Sequence, residues 1–341
     1  MRILFIGDIF AKAGRKAVTE NLANIIKKEK IDLTIANAEN ATHGRSLSQD
    51  HYDELIKAGV DMITMGNHTW DTTLVYDVLK NKKIIRPLNV DPESKEAKCG
   101  FGSMVYSING KKVRITNLMS TQCTARATLT NPFLVLEEVL KTNKDQDIHI
   151  IDFHAETTSE KNAFLMRFAG RVSAIVGTHT HVQTADEKIY KGTAFITDAG
   201  MCGAKESIIG AKPQEIVDMF LGKIPHFHLE PAKGDYQFNS VIIEFDSKCL
   251  SSDNKFVKNI NDSFYSDYQM TLSQTYNGVY YHETKVLRVG YADFIMRKGA
   301  AVKVSDSSNG LKFGAVINKE TYGTATVIFR KVLHHSGIQL V

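Results

Sequence analysis

The sequence predicts an α/β fold in which two packed sheets are flanked by helices. Over roughly the first 200 residues, short runs rich in Ile, Val, Phe and Thr alternate with runs that carry apolar residues on one helical face. The strand candidates are too numerous for one open sheet of this length. The Asn109-Gly110 pair adds an antiparallel hairpin, because this dipeptide favours a two-residue turn between strands.

The predicted elements follow one another along the chain. The strand candidates are short and mostly bounded by Gly, Asn or Asp: residues 2–7, 32–36, 61–65, 83–85, 103–108, 112–117, 148–153, 173–176, 193–197 and 239–245. The helix candidates share an apolar stripe: residues 15–28, 49–58, 72–80, 133–141 and 159–168. Such stripes indicate packing against a sheet and not a cofactor site.

The length of the chain allows one large domain and a smaller appendage. It has 341 residues, of which 43% are hydrophobic. From about residue 263, Ser, Asn, Asp and Tyr become frequent, and further strand-like runs are separated by Gly and Asn turns. We therefore predict a main domain over residues 1–262 and a small β-rich C-terminal extension of unknown role over residues 263–341.

The composition predicts a cytoplasmic protein without a membrane partner. The apolar N-terminal run ends at Asp8 and is too short for the hydrophobic region of a signal peptide. No run approaches the roughly 20 apolar residues that cross a bilayer. The four cysteines are far apart and are expected to be reduced. The net charge of +4 is concentrated in residues 281–341, where nine Lys and Arg face four Asp and Glu.

Five apolar strand-like runs end in side chains that can bind a metal ion. These side chains are Asp8, Glu39, Asn40, Asn67, His154, His179 and His181. Ligand sites of α/β sheets lie at strand ends, so these groups can converge although they are distant in sequence. The pair His179 and His181 is the most specific signal for a metal site. The two histidines are two positions apart and follow an apolar strand and a glycine, and folding alone rarely requires that pattern.

The donor set predicts a centre for two metal ions. Carboxylate and amide oxygens combined with three imidazoles suit Fe, Mn or Zn, and seven donors are too many for one structural zinc. Two ions need a shared ligand, and either Glu39 or Asp8 could bridge them. Two metals about 4 Å apart would activate a bridging hydroxide and offset the charge that develops at phosphorus. Phosphate-ester hydrolysis is therefore the predicted reaction class.

The motifs Gly66-Asn67-His68 and 177–181 resemble signatures of calcineurin-like metallophosphoesterases. Within this superfamily, the chain most resembles the YmdB-like branch, and this resemblance covers residues 1 to about 262. It is carried by the segments 6–9, 36–41, 66–71, 152–156, 177–186 and 197–201. Calcineurin-like enzymes at large begin with Asp-x-His, whereas this chain has Asp8-Ile9-Phe10, and the YmdB-like branch shares that departure.

The resemblance implies a four-layer αββα sandwich with a dinuclear metal centre. The implied ligands of the first ion are Asp8, Glu39, Asn40 and His181, and those of the second are Glu39, Asn67, His154 and His179. Glu39 would then bridge the two ions. Iron is the expected metal, with manganese and zinc as alternatives. The implied activity is hydrolysis of 2′,3′-cyclic nucleotides such as 2′,3′-cAMP to 3′-monophosphates.

His68 is predicted to be the general acid. It follows the ligand Asn67 but is not itself placed as a ligand, so it is free to protonate the departing ribose oxygen. The alternative is that His68 only orients Asn67 by a hydrogen bond.

The sequence leaves other functions open. A broader phosphomonoesterase or 5′-nucleotidase is one alternative, because metals supply hydrolytic power while loops choose the substrate. A regulatory scaffold that keeps its metal site and acts through RNA or protein partners is another. The basic C-terminal extension suggests RNA contact, although such a charge balance is usually a solvated face. A homo-oligomer is compatible with the sequence.

Overall fold

A computed structural model of the chain confirms the α/β fold with two sheets. It describes residues 1–123, 125–143, 145–226 and 230–245 in full, together with the backbone of four later strands. The strands are β1 Arg2–Ile6, β2 Asp8–Ile9, β3 Leu33–Asn37, β4 Met62–Thr64, β5 Ile84–Ile85, β6 Ser103–Ile108, β7 Lys111–Met119, β8 Ile148–His154, β9 Ala174–Thr178, β10 Lys188–Tyr190, β11 Thr193–Ile196, β12 Met201–Ala204, β13 Tyr236–Phe245, β14 Tyr268–Tyr276, β15 Val279–Glu283, β16 Ile295–Met296 and β17 Ala325–Thr326. The helices are α1 Ala11–Glu29, α2 Gln49–Ala58, α3 Val75–Val78, α4 Pro132–Thr142, α5 Thr158–Phe168 and α6 Pro213–Phe220.

Both sheets have a parallel centre. The first sheet runs in the order β15-β14-β13-β1-β3-β4-β5, with β12 attached to β13 and β2. Its strands β1, β3, β4 and β5 are parallel. The second sheet runs in the order β10-β11-β9-β8-β7-β6, and β7, β8, β9 and β11 are parallel. The carboxyl ends of parallel strands meet at one edge of a sheet, which is the usual place for a ligand site.

The four-layer αββα arrangement follows from the packing of the apolar side chains. A central cluster joins Phe5 and Ile35 of the first sheet to Ile150 and Val176 of the second. A second cluster packs α1, α2 and α3 against the outer face of the first sheet. A third cluster packs α4 and α5 against the outer face of the second sheet. The helices therefore cover both outer faces, as the resemblance implied.

Several element boundaries differ from the predicted ones because tertiary contacts decide them. Helix α1 begins at Ala11, four residues earlier than predicted, where Gly14 lies against the backbone of Cys202 and leaves no room for a side chain. The predicted helix over 72–80 is reduced to Val75–Val78. The prediction also missed β12 and α6.

The chain divides into two compact units, Met1–Tyr281 and His282–Val341. Within the first unit, β14 pairs with β13 along its whole length. The predicted domain boundary near residue 262 falls in 246–267, outside the described residues, and it stays a prediction. Among the helices of the described part of the chain, none combines the length and hydrophobicity needed to cross a bilayer.

Candidate metal centre

The fold brings all seven predicted ligands to one end of the two sheets. They occupy the strand ends as follows: Asp8 after β1, Glu39 and Asn40 after β3, Asn67 after β4, His154 at the end of β8, and His179 and His181 after β9. Six of the seven are buried, and the side chain of His179 is 19% exposed. The predicted convergence is therefore present in the structure.

One group of ligand atoms surrounds the imidazole of His154. Its Nε2 lies 2.8 Å from Asn67 Oδ1, 3.0 Å from His179 Nδ1 and 3.3 Å from Glu39 Oε1. Ligand atoms of Glu39, His154 and His179 all lie within 4.8 Å of one another. This group contains the residues predicted for the second ion.

A second group surrounds His181. Its Nε2 lies 3.2 Å from Asn40 Nδ2 and 3.8 Å from Asp8 Oδ1. The same Asn40 Nδ2 lies 2.8 Å from Glu39 Oε1. Glu39 therefore lies between the two groups, in the position that the prediction required of a bridging carboxylate.

The tautomer of His154 follows from its hydrogen bonds. Its Nδ1 lies 2.9 Å from the Thr178 hydroxyl, and that hydroxyl donates its own proton to Asp152 Oδ1 over 2.7 Å. Because the Thr178 proton is already used, His154 Nδ1 must be the donor. In the neutral ring, Nε2 then carries a lone pair that points into the cluster.

The other two histidines have their outer nitrogens engaged in the same way. His179 Nε2 lies 2.9 Å from a carboxylate oxygen of Glu156, and His181 Nδ1 donates to the Ile209 carbonyl over 2.8 Å. Each ring therefore turns its second nitrogen inward with a lone pair. Metal-binding histidines are typically oriented by such an outer hydrogen bond to a carboxylate or a carbonyl.

The electrostatic environment favours one added positive charge beside Glu39. Burial lowers the pKa of His154, but the negative charges of Glu39, Asp8 and Asp152 outweigh burial and raise it to about 9. For His179, burial and the charge of His154 lower the pKa to about 3, so this ring is neutral. Either a proton or a metal cation can supply the positive charge that the cluster stabilises.

The environment of Asp8 also favours a bound cation. Its carboxylate is buried, and among the described residues its Oδ1 has no hydrogen-bond partner. Burial raises the pKa of Asp8 to about 6, against the opposing effect of His181 and His154. A buried carboxylate oxygen is costly unless a charge or a donor faces it. The inward lone pairs, the unpartnered oxygen and the mixed oxygen and nitrogen donors fit divalent cations.

Asn40 is oriented differently from the predicted ligand. Its amide nitrogen, not its oxygen, faces Glu39 and His181. A metal bond through Asn40 Oδ1 therefore requires the amide group to rotate by half a turn. The hydrogen bonds around an amide normally decide which of its two orientations is adopted.

The backbone of the histidine loop is unusual. His179 and His181 have φ angles of +101° and +65°, which are uncommon outside glycine. These angles turn the chain so that both rings reach the centre. The loop is held by Asp198, which accepts the Thr180 N–H over 3.0 Å and pairs with the buried Lys161 over 2.9 Å.

Gly66 is required by close packing. A Cβ at this position would lie 2.4 Å from Glu39 Oε2 and from His154 Nε2. The glycine of the Gly66-Asn67-His68 motif therefore leaves the space in which the carboxylate and the imidazole approach each other.

His68 lines the same cavity as the predicted ligands. This cavity of about 240 Å³ is bordered by Glu39, His68, His179 and His181. His68 Nδ1 lies 2.7 Å from Asp71 Oδ2, so this nitrogen donates and Nε2 is the nitrogen left for a ligand. Burial lowers the pKa of His68, but the hydrogen bond to Asp71 and the charge of Glu39 raise it overall.

Three supporting residues escaped the sequence analysis: Thr178, Lys161 and Asp198. Thr178 belongs to a recognised motif, but its hydroxyl acts on a histidine that is 24 residues away. Lys161 looks like an exposed residue of an amphipathic helix, and no local pattern indicates that it is buried. Asp198 lies in the recognised segment 197–201, but in sequence terms it is a typical turn residue, and its contact with Lys161 is not predictable from that segment.

Thr178→Val is expected to weaken metal binding by about 10- to 100-fold, because the hydroxyl that orients His154 is lost while its shape is kept. Titration of the metal-free protein with Mn²⁺ would measure this loss. Thr193→Val is the matched control. Thr193 is also buried and makes two hydrogen bonds, to Val172 and Gly170, but it begins β11 at the opposite end of the sheet. Equal affinities in wild type and Thr178→Val would contradict the orienting role.

Comparison with known proteins identifies the family. The model of the family described as YmdB-like protein matches residues 4–256. The chain belongs to the YmdB-like family. A relative from Bacillus subtilis strain 168, named 2′,3′-cyclic-nucleotide 2′-phosphodiesterase, is 41% identical over 251 residues, which are 73% of this chain and 92% of that relative.

Two solved structures share the four-layer fold described above. The crystal structure of a novel phosphatase from Mycoplasma pneumoniae has a TM-score of 0.72 and 42% identity, over 81% of this chain and 93% of that one. The crystal structure of a hypothetical protein from Thermus thermophilus has a TM-score of 0.67 and 37% identity, over 72% of this chain and 94% of that one. The recognised family and the predicted fold class are thus confirmed.

Proposed function

We propose that this YmdB-like protein is a phosphodiesterase that uses two divalent cations to hydrolyse 2′,3′-cyclic nucleotides to 3′-monophosphates. The observation that carries the proposal is the orientation of three imidazoles, each held by an outer hydrogen bond and each with its second nitrogen turned toward a buried carboxylate. His154 and His179 face Glu39, and His181 faces Asp8. The name of the Bacillus subtilis relative supports the substrate class.

The two groups of side chains supply the proposed ligands. Asp8, His181 and Asn40 would hold one cation, and Asn67, His154 and His179 the other. Glu39 would serve both, because its Oε1 faces Asn40 and His154 at 2.8 and 3.3 Å. Bound cations supply the charge that activates a water nucleophile and offsets the charge on the phosphate.

His68 is the proposed general acid. Its Nδ1 proton is held by Asp71, so a second proton on Nε2 is the one that can pass to the departing 2′ oxygen of the ribose. The negative charge of Asp71 stabilises the doubly protonated ring that this step needs. Asp71 is itself fixed by Arg126, whose Nε lies 3.3 Å from Asp71 Oδ1.

A phosphomonoesterase is the second candidate, because the Mycoplasma pneumoniae structure is described as a phosphatase. The substrates of the two candidates differ in the number of ester oxygens on phosphorus, two in a phosphodiester and one in a phosphomonoester. The metal ligands would be the same in both cases. RNA contact through the basic extension remains a prediction, since most of residues 281–341 lie outside the described part of the chain.

Metal analysis combined with a substrate panel tests the proposal. We expect about two divalent ions per chain, with iron predominant and manganese or zinc as the alternatives. We expect 2′,3′-cAMP to be converted to 3′-AMP faster than 3′,5′-cAMP or 5′-AMP is hydrolysed, and chelation to stop the reaction. Faster hydrolysis of 5′-AMP would favour the phosphomonoesterase. Bound metal without turnover of any phosphoester would favour a regulatory scaffold.

A further inference from the structure

Ile209 occupies the tip of a two-residue hairpin beside the metal centre. The backbones of Ile208 and Ala211 exchange two hydrogen bonds of 3.0 Å, and the intervening residues Ile209 and Gly210 have φ angles of +46° and +102°. Positive φ at both central residues defines a type I′ turn, for which Asn-Gly is the favoured sequence. A β-branched residue with positive φ is a true conformational outlier.

Two other type I′ hairpins of this chain have ordinary tips. Asn109-Gly110 joins β6 to β7 with φ angles of +49° and +76°, and Lys191-Gly192 joins β10 to β11 with +48° and +83°. Neither Asn109 nor Lys191 is β-branched. The strained isoleucine is therefore not a requirement of the turn, and strain of this kind is often retained for a functional reason.

Burial does not explain Ile209 either. The residue is 52% exposed, so it contributes little to the core. Ile209 lines two neighbouring cavities: the one bordered by the predicted metal ligands, and a second of about 280 Å³ beside His181. Ile209 thus presents an apolar surface to solvent at the junction of the two cavities.

The position of the hairpin is fixed by contacts with His181 and Phe10. The Ile209 carbonyl accepts a hydrogen bond from His181 Nδ1, and a Cβ on Gly210 would lie 2.6 Å from the ring of Phe10. Phe10 in turn contacts the ring of His181 edge-on, with centroids 5.6 Å apart. These contacts hold the tip beside His181.

The second cavity suits the base of a nucleotide. Its lining combines the apolar side chains of Ile209 and Val182 with polar ones: Gln183, Lys205, Ser207, Gln237 and Asn239. An aliphatic side chain can pack against the face of a base, while polar side chains of the lining can face its edges. Two of them, Gln183 and Ser207, are held in place by hydrogen bonds to the carbonyls of Ala199 and Ala204. The cavity adjoins the predicted site of the reacting phosphate, since His181 lines both.

We propose that the cavity beside His181 is the base-binding site of the substrate and that Ile209 is the specificity-determining residue on which the base packs. This inference rests on the proposed function, because it assumes a nucleotide whose phosphate lies at the metal centre. The strain at Ile209 is retained because the residues that would relieve it offer a poorer apolar contact.

Ile209→Asn tests the inference with two substrates. One is 2′,3′-cAMP, and the other is methyl riboside 2′,3′-cyclic phosphate, which has the same ribose and cyclic phosphate but no base. We expect Ile209→Asn to raise KM for 2′,3′-cAMP about 10-fold with little change in kcat, and to raise the ratio of this KM to the KM for the base-free substrate by the same factor. The melting temperature should rise by about 2–4 °C as the turn loses its strain.

Lys191→Asn is the matched control. It places the same favoured residue at the same position of another type I′ hairpin, at the end of β11 remote from the site. Its KM for both substrates should equal that of wild type.

Three outcomes separate the inference from the proposed function. Equal effects of Ile209→Asn on both substrates would mean that the hairpin acts only through His181, and the inference would be wrong. Equal kcat/KM of wild type for the two substrates would mean that the base is not recognised, which also overturns the inference but leaves the phosphodiesterase intact. Failure of wild type to hydrolyse either cyclic phosphate would overturn the proposed function itself.

Discussion

Replacing His68 by alanine is expected to lower the turnover of 2′,3′-cAMP by about 100- to 10,000-fold while the metal content stays at the wild-type level. The reason is that the His68 imidazole lines the cavity and is not one of the proposed metal ligands. Its hydrogen bond goes to Asp71 instead. The loss should therefore fall on kcat. Steady-state kinetics and elemental analysis of the same preparation would measure both quantities.

The backbone of His68 makes a separate contribution that the alanine variant preserves. Its N–H donates to Glu39 Oε2 over 2.8 Å, and this bond depends on the main chain alone. His68→Ala thus removes the acid and keeps the support of the carboxylate. His43→Ala is a suitable control, because His43 is an exposed histidine in the loop that follows Asn40. Its turnover should equal that of wild type.

A parallel loss of metal and activity in His68→Ala would contradict the general-acid role. It would instead favour the alternative in which His68 only orients Asn67. Asp71→Asn refines the distinction, since the hydrogen bond can persist while the charge that stabilises the protonated ring is lost. A general acid predicts an intermediate activity for Asp71→Asn with full metal content.

Lys161→Met is expected to destabilise the protein by about 3–5 kcal/mol, because it leaves the carboxylate of Asp198 buried without its cation. Both side chains are fully buried, and the Lys161 ammonium also donates to the Thr178 carbonyl over 2.8 Å. The expected loss is a large part of the stability of a typical domain. Urea unfolding followed by circular dichroism would measure it.

The double variant Lys161→Met with Asp198→Asn provides the control. Removing both charges avoids the unpaired carboxylate, so the double variant should be more stable than Lys161→Met alone. The Thr180 and Gly200 amides donate to the Asp198 carboxylate, and an asparagine oxygen can replace only part of that interaction. A double variant that is less stable than the single one would mean that Asp198 supports the loop independently of Lys161.

The sequence was informative about the fold because apolar periodicity is a local property. The stripe of α1 and the short β-branched runs predict helices and strands, and their alternation predicts helices on both sides of a sheet pair. The prediction failed where contacts with distant residues decide whether a helix or strand forms. Strand β12 forms because Met201 and Cys202 pair with Asp8 and Ile9, nearly two hundred residues earlier in the chain.

The sequence by itself determined the donor types and their positions at strand ends. Acidic, amide and imidazole groups are chemical properties of the residues, and the end of an apolar run marks where a strand stops. Only the tertiary structure decided which nitrogen of each histidine faces the centre, that Lys161 is buried, and that Ile209 stands between two cavities. These features depend on hydrogen bonds and packing between segments far apart in the chain, and no local pattern encodes the distance between two atoms on different strands.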